Sequence, residues 1–157
     1  MGVLRAELGD FSSVACLKAI IVGIEDALGE KATAIALIAA GRARGRQVIE
    51  QLQLTGKQLS PQDLCDKVAA VLGKDGTRLL ILHKMEKTDD GYKTYSTDTV
   101  CSAGEPSEGS ERKCAFTLGV LQGVLESVYG GRFRGKHTGS VLRDGEFDIF
   151  EYELIIR

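Results

Sequence analysis

Residues 114–156 decide the predicted fold and read CAFTLGVLQGVLESVYGGRFRGKHTGSVLRDGEFDIFEYELII. Their first part predicts a helix, because apolar side chains recur there every three or four residues. The helix is expected to end at Gly130 and Gly131, since glycine readily takes the left-handed conformation that closes a helix. The apolar stripe of this helix consists of Cys114, Leu118, Leu121, Leu125 and Val128.

A β-hairpin is predicted directly after this helix. Asp144-Gly145 separates two strand-like segments, residues 132–143 and 146–156, and a dipeptide of this kind favours a tight turn. Alternate residues of the second segment are apolar, as expected for a strand with one buried face. That face consists of Phe150, Tyr152, Leu154 and Ile156.

The preceding part of the chain predicts three helices and another hairpin. Apolar residues recur at helical spacing in each helical segment, and Ser60-Pro61 supplies a cap and a first-turn proline for the third. In the hairpin, Asp90-Gly91 forms the turn. The predicted elements are helices over residues 12–28 and 31–54, a third helix between Pro61 and Gly73, and strands over residues 78–86 and 92–100.

Together these elements indicate an α+β fold in a single domain, residues 1–157. Two hairpins with short turns predict an antiparallel four-stranded sheet, and about four helices are expected to pack on it. The predicted order is α-α-α-β-β-α-β-β. A solvated loop is expected over residues 101–110, CSAGEPSEGS, with Ser110 capping the fourth helix.

The overall composition excludes several classes of partner. The 20 basic and 22 acidic side chains nearly cancel, so the net charge predicts no nucleic-acid partner. No apolar run approaches the roughly 20 residues that span a bilayer. Residues 1–10 also lack the basic start and apolar centre of a signal peptide. These features predict a cytoplasmic protein without a membrane span.

The cysteines are widely spaced, and most lie in apolar or helical stretches, which predicts buried free thiols and not disulfides. A zinc set drawn from Cys101, Cys114, His83 and His137 would match no recognised ligand spacing. We therefore expect no metal ion and no other cofactor. The four cysteines are Cys16, Cys65, Cys101 and Cys114.

Motifs for catalysis are weak. Residues 130–137, GGRFRGKH, are close to the spacing of a phosphate loop, but such a loop follows a strand and precedes a helix, the reverse of the predicted order. The sequence contains no nucleophile-elbow motif, and its two histidines offer little for acid and base roles. We assign no catalytic residue, and these observations favour a binding module over an enzyme.

Two segments carry a resemblance to a known family. Residues 41–50, GRARGRQVIE, resemble the second helix of TRAPP core subunits, where two glycines four apart precede an apolar and acidic stretch. Residues 114–126, CAFTLGVLQGVLE, resemble the helix before the last hairpin in TRAPP subunits and in bacterial and archaeal 4-vinyl-reductase domains. The order of the predicted elements agrees with this family over most of the chain.

The resemblance implies a homodimer formed through the first two helices, and an internal apolar cavity. The apolar stripes of these helices, with small residues at positions of close approach, support such an interface. Val141 and Ile149 stand where many 4-vinyl-reductase domains carry cysteines, which argues against their cysteine-dependent chemistry or metal site. Leu59 stands where acylated TRAPP subunits carry the modified cysteine, which excludes stable acylation there. The expected interface residues are Leu17, Ile21, Ile24, Ile38, Gly41 and Gly45.

The phase of the helical stripes and the cavity of the family together suggest a pocket between the sheet and the third and fourth helices. We expect a homodimeric domain that binds or senses a small apolar, hydrocarbon-like molecule without catalysis. One alternative is a TRAPP-like scaffold subunit without a ligand. Another is a tetrapyrrole-handling or reductase-like enzyme component. The candidate ligand-binding residues are Cys65, Val68, Leu118, Leu121 and Phe133, with His137 as a polar handle.

Overall fold

The computed structural model describes residues 7, 13–103 and 113–157. Ser12, the predicted cap Ser110, the rest of the predicted loop from residue 104 onward, and most of residues 1–10 lie outside the described residues. The predicted order of helices and strands is confirmed. The elements are α1 (Val14–Leu28), α2 (Glu30–Leu52), α3 (Pro61–Leu72), β1 (Ile81–Lys87), β2 (Gly91–Thr97), a 3-10 turn (Val100–Ser102), α4 (Ala115–Tyr129), β3 (Arg132–Gly139) and β4 (Asp148–Ile156).

The four strands form one sheet in the order β1-β2-β4-β3, and all neighbours are antiparallel. Each predicted hairpin is present, and the two hairpins join because β2 pairs with β4. The α+β fold with an antiparallel four-stranded sheet is therefore confirmed. Residues 130–137 pass from the end of α4 into β3, so they lack the strand-to-helix context of a phosphate loop.

Several strands are shorter than predicted, because local turns take up the residues at their ends. Arg78 and Asp98 adopt the left-handed conformation, with φ of 55° and 51°, which keeps both outside the strands of the first hairpin. In the second hairpin the carbonyl of Ser140 accepts hydrogen bonds from the backbone nitrogens of Arg143 and Gly145. The connection between β3 and β4 is thus an extended turn and not a two-residue one.

Close contact between α2 and α4 dominates the helical layer. A Cβ atom placed on Gly41 or Gly45 would lie 2.8 Å from the backbone nitrogen of Val120 or Val124, respectively. Glycines on α4 face α2 in the same way, so the two backbones touch where neither helix carries a side chain. Beside this contact, Arg42 Nη2 lies 2.8 Å from a carboxylate oxygen of Glu126, which pairs the helices electrostatically.

The hydrophobic core lies where α4 meets both α2 and the sheet. Every residue from 117 to 125 is buried, because α4 contacts α2 as well as β3. The buried hydroxyl of Tyr152 on β4 donates a 2.7 Å hydrogen bond to the carbonyl of Leu118 and fixes α4 on the sheet. α3 covers β1 and begins as predicted, since Ser60 Oγ accepts from the backbone nitrogen of Asp63. None of the helices in the described parts of the chain is long and apolar enough to span a bilayer.

Candidate functional site

Most of the predicted ligand-binding residues belong to the packed core. Their side chains are at most 6% exposed, and they share one continuous cluster with residues of α2 and β4. Burial, with a smaller contribution from Asp66, raises the pKa of Cys65 to about 11, so its thiol stays protonated at neutral pH. The residues found in this core are Cys65, Val68, Leu118, Leu121 and Phe133.

A large groove lies elsewhere, between α1, the connection from α3 to β1, and the segment after β2. It is a groove of about 1120 Å³, which is ample for a small organic molecule. Among the residues that sequence reasoning singled out, Leu17 is the one that lines it. The groove is lined by Ser13, Val14, Leu17, Ile20, Lys74, Asp75, Gly76, Thr77, Arg78, Leu79, Asp98, Thr99, Val100, Ser102 and Ala103.

Its walls differ in chemistry. The α1 wall is apolar and presents Val14, Leu17 and Ile20. The rest of the lining is mixed, since it carries charged side chains of the α3–β1 connection and of Asp98 beside the apolar Leu79 and Val100. A groove lined by both apolar and charged side chains suits a molecule that has an apolar body and a polar group.

Below the groove, the structure joins Cys101 and Cys114 in a disulfide. The prediction of four free thiols is therefore wrong for this pair, whereas exposed Cys16 and buried Cys65 are free. The 3-10 turn and the start of α4 bring the two Cα atoms to 5.4 Å, within the ordinary range for a disulfide. Sequence spacing could not reveal this, because the cysteines meet through the packing of α4 on the sheet. A cavity of about 20 Å³, large enough for one water molecule, lies against both of them.

A buried carboxylate lies beside the disulfide. Thr99 Oγ1 donates a 2.7 Å hydrogen bond to Asp148 Oδ2, and His137 Nε2 lies 3.1 Å from Asp148 Oδ1. The side chains of His137 and Asp148 are 2% and 0% exposed. His137 is therefore partnered to a carboxylate, and its role as a polar handle for a ligand stays a prediction.

The charge of Asp148 is held by its hydrogen-bond partners. Burial by itself would raise the pKa of this carboxyl group, but the hydrogen bonds from His137, Thr99 and Ser140 outweigh burial. The net pKa of Asp148 is lowered from its ordinary value. The second ring nitrogen of His137, Nδ1, is buried and has no hydrogen-bond partner among the described residues.

Three of the described residues carry potential metal-ligand atoms that all lie within 4.8 Å of one another. They are Cys101, Cys114 and Asp148. Cys101 and Cys114 also belong to the zinc set that was considered in the sequence analysis, whose spacing matches no recognised ligand pattern. Its member His83 is absent from the cluster, since it lies exposed on β1 and is hydrogen-bonded to Thr97. The sequence analysis did not identify Asp148 as part of this cluster. The pairing of β3 with β4 indicates it, because His137 pairs with Phe150 and Asp148 is therefore the diagonal neighbour of His137.

The predicted dimer residues divide into two groups. Gly41 and Gly45 are buried against α4 of the same chain, so they form an internal contact. Ile21 is buried, while Leu17, Ile24 and Ile38 are half-buried. The exposed apolar surface of α1 and α2 includes Leu28 and Ile35, at 64% and 65% exposure.

Comparisons with known proteins give a likeness among solved structures. No family model matches the chain. No curated protein matches it either. Among solved structures, the chain is similar to the phenol-responsive sensory domain of the transcription activator PoxR, whose crystal structure was determined with phenol. The TM-score is 0.71 at 11% identity, over 92% of this chain and 75% of that one. At this identity the chain shares the fold of that sensory domain.

Proposed function

We propose that this chain is a small-molecule binding domain and that its ligand occupies the groove between α1 and the α3–β1 connection. The observation that carries the proposal is the groove itself, which has about 1120 Å³ of space and one apolar wall. The fold likeness to a phenol-responsive sensory domain supports a sensing role. The core cluster between the sheet, α3 and α4 then serves stability, because its side chains are already packed together.

The ligand class follows from the side chains that line the groove. Val14, Leu17 and Ile20 can cover an apolar ring or short chain, and burying such a surface supplies most of the affinity of small ligands. Charged groups in the rest of the lining, including Lys74 and Arg78, can orient a hydroxyl or carboxyl group. We therefore propose a small aromatic or aliphatic molecule with one polar substituent.

Isothermal titration with phenol as the first probe, together with native mass spectrometry of protein from its host, tests this proposal. We expect the Ile20→Trp variant to bind at least about tenfold more weakly than the parent, because the indole would occupy the groove. Ile156→Trp is the matched control, since Ile156 is equally exposed but lies outside the groove. Equal binding by both variants, or a parent that carries no small molecule and binds no probe, would contradict the proposal.

We further propose that the domain is a homodimer through α1 and α2. Leu28 and Ile35 are large, exposed and apolar, and a second copy would remove both from water. In sedimentation velocity, we expect the parent to have twice the chain mass of 16.9 kDa. The Leu28→Lys/Ile35→Lys double variant should have the mass of a single chain. Ile156→Lys should remain dimeric. A monomeric parent would show that this surface does not pair with itself.

A scaffold role without a ligand is the second candidate, and the same exposed residues Leu28 and Ile35 favour it. It predicts a dimer whose native mass spectrum shows protein alone. The titration of the groove therefore separates the two functions, whereas the oligomeric state does not.

A further inference from the structure

We propose that the free edge of β3 binds an extended segment of a partner protein in which alternate residues are acidic, so that this segment adds a strand to the sheet. β3 lies at one end of the strand order β1-β2-β4-β3, and among the described strands it pairs with β4 alone. An exposed edge of this kind is a common site for strand addition. The surface is distinct from the groove, so the proposal does not depend on a ligand there.

The backbone of Phe133 shows which groups point to this edge. Its N–H donates a 3.1 Å hydrogen bond to Glu126 Oε1, and its carbonyl accepts a 2.8 Å hydrogen bond from Gln122 Nε2. At Phe133, side chains of α4 thus take the place of a neighbouring strand. Alternate residues of a strand direct their N–H and C=O groups to the same side, so those of Gly135 and His137 also point away from β4. The described residues offer these groups no hydrogen-bond partner outside the sheet.

Exposed cations line the same strand. Arg132, Arg134 and Lys136 alternate with residues that are buried or half-buried, so they lie on the face of the sheet away from α4. None of the three forms an ion pair with another described residue. Their charges are therefore available to a partner.

The charges on this face alternate from strand to strand. One row of facing residues crosses the whole sheet, and in the next row Arg134 faces Glu153. Opposite charges at facing positions stabilise a strand pair, whereas like charges destabilise it. A strand added beyond β3 would therefore continue the alternation if acidic side chains faced Arg134 and Lys136. The row that crosses the sheet consists of Glu86, Lys93, Glu151 and Lys136, on β1, β2, β4 and β3 in turn.

The spacing of the cations favours one occupant. Arg134 and Lys136 are two residues apart on a strand, or roughly 6.8 Å, which matches alternate residues of a facing strand. A second copy of β3 would set cations against cations. A nucleic acid or another polyanion lying across this face would meet Glu151 and Glu153. An acidic strand beside β3 avoids both conflicts.

Fluorescence anisotropy with labelled peptides tests the proposal. The peptide TETETET carries glutamate at every second position, whereas TTEEETT has the same composition without the alternation. We expect this chain to bind TETETET at least about tenfold more tightly than TTEEETT. The affinity should fall with added salt, because the charges are exposed. Equal affinity for both peptides would overturn the proposal in favour of a general attraction for polyanions, and a failure to bind TETETET would also overturn it.

Backbone methylation of the peptide separates strand addition from electrostatic attraction. If the glutamates face Arg134 and Lys136, whose backbone groups point to β4, the threonines between them bond to Gly135 and His137. N-methylation of those threonines should therefore abolish binding, while N-methylation of the glutamates should be tolerated. Hydrogen exchange at the amides of Gly135 and His137 should slow in the complex. Equal effects of the two methylation patterns would contradict an added strand.

Matched variants locate the site. Arg134→Thr/Lys136→Thr removes both charges without placing like charges against β4, and it should weaken binding of TETETET at least about tenfold. Lys67→Thr/Lys87→Thr removes the same charge from α3 and β1, at the other end of the sheet, and should bind as the parent does. Circular dichroism establishes that each variant is folded. A folded Arg134→Thr/Lys136→Thr variant with the affinity of the parent would exclude this edge.

Discussion

Replacing Gly45 with alanine is expected to lower the free energy of unfolding by about 3 kcal/mol, the upper end of the usual cost of overpacking. The new methyl group would collide with the carbonyl oxygen of Val120 and lie 2.8 Å from the nitrogen of Val124. Both are backbone atoms of α4 and cannot rotate away, so the helices must separate. Urea unfolding followed by circular dichroism measures the change.

Gly23→Ala is the matched control for this prediction. Gly23 also lies inside a helix, α1, but a Cβ atom there would lie more than 4 Å from its neighbours in the described parts of the chain. Alanine should therefore stabilise the protein by about 0.5–1 kcal/mol through helix propensity alone. If Gly45→Ala were as stable as Gly23→Ala, the close approach of α2 and α4 would not exist in solution.

Breaking the Cys101–Cys114 disulfide is expected to cost about 3 kcal/mol of unfolding free energy. The two cysteines are 13 residues apart, so the bond closes a short loop and restricts the unfolded chain. Urea unfolding of the same protein, first oxidised and then reduced, gives the difference directly.

Cys101→Ser/Cys114→Ser should reproduce the stability of the reduced protein to within about 1 kcal/mol. Cys16→Ser should leave the free energy of unfolding unchanged, because Cys16 is exposed and free. If reduction left the urea concentration at the unfolding midpoint unchanged, the cysteines would already be reduced in the starting protein. A thiol count on the unfolded chain identifies that outcome independently.

The fold could be predicted from the sequence because its signals are local. Helical stripes and the Ser60-Pro61 start of α3 each act over a few residues, and the order of the elements leaves an antiparallel sheet as the simplest arrangement. The first hairpin turns at residues 88–90, just before the predicted Asp90-Gly91 turn, because Gly91 already belongs to β2. The ends of the strands were less predictable. Arg78 and Asp98 take left-handed conformations that their residue types do not predict.

The candidate sites were harder to predict, because they depend on contacts between distant residues. The stripe positions of Cys65 and Leu121 correctly indicate burial, but stripes do not distinguish a packed core from the wall of a cavity. The spacing of Gly41 and Gly45 correctly indicates a close helix contact, although the structure shows that α4 of the same chain makes it.

The α2–α4 contact also sets an order of events during synthesis. Arg42 and Glu126, which pair across it, are 84 residues apart in the chain. At about 5–20 residues per second, a ribosome needs roughly 4–17 seconds to reach Glu126 after Arg42. Throughout that time the glycine face of α2 has no partner within its own chain. The amino-terminal helices therefore stay exposed to solvent, or bound by another molecule, until α4 leaves the ribosome and the core can form.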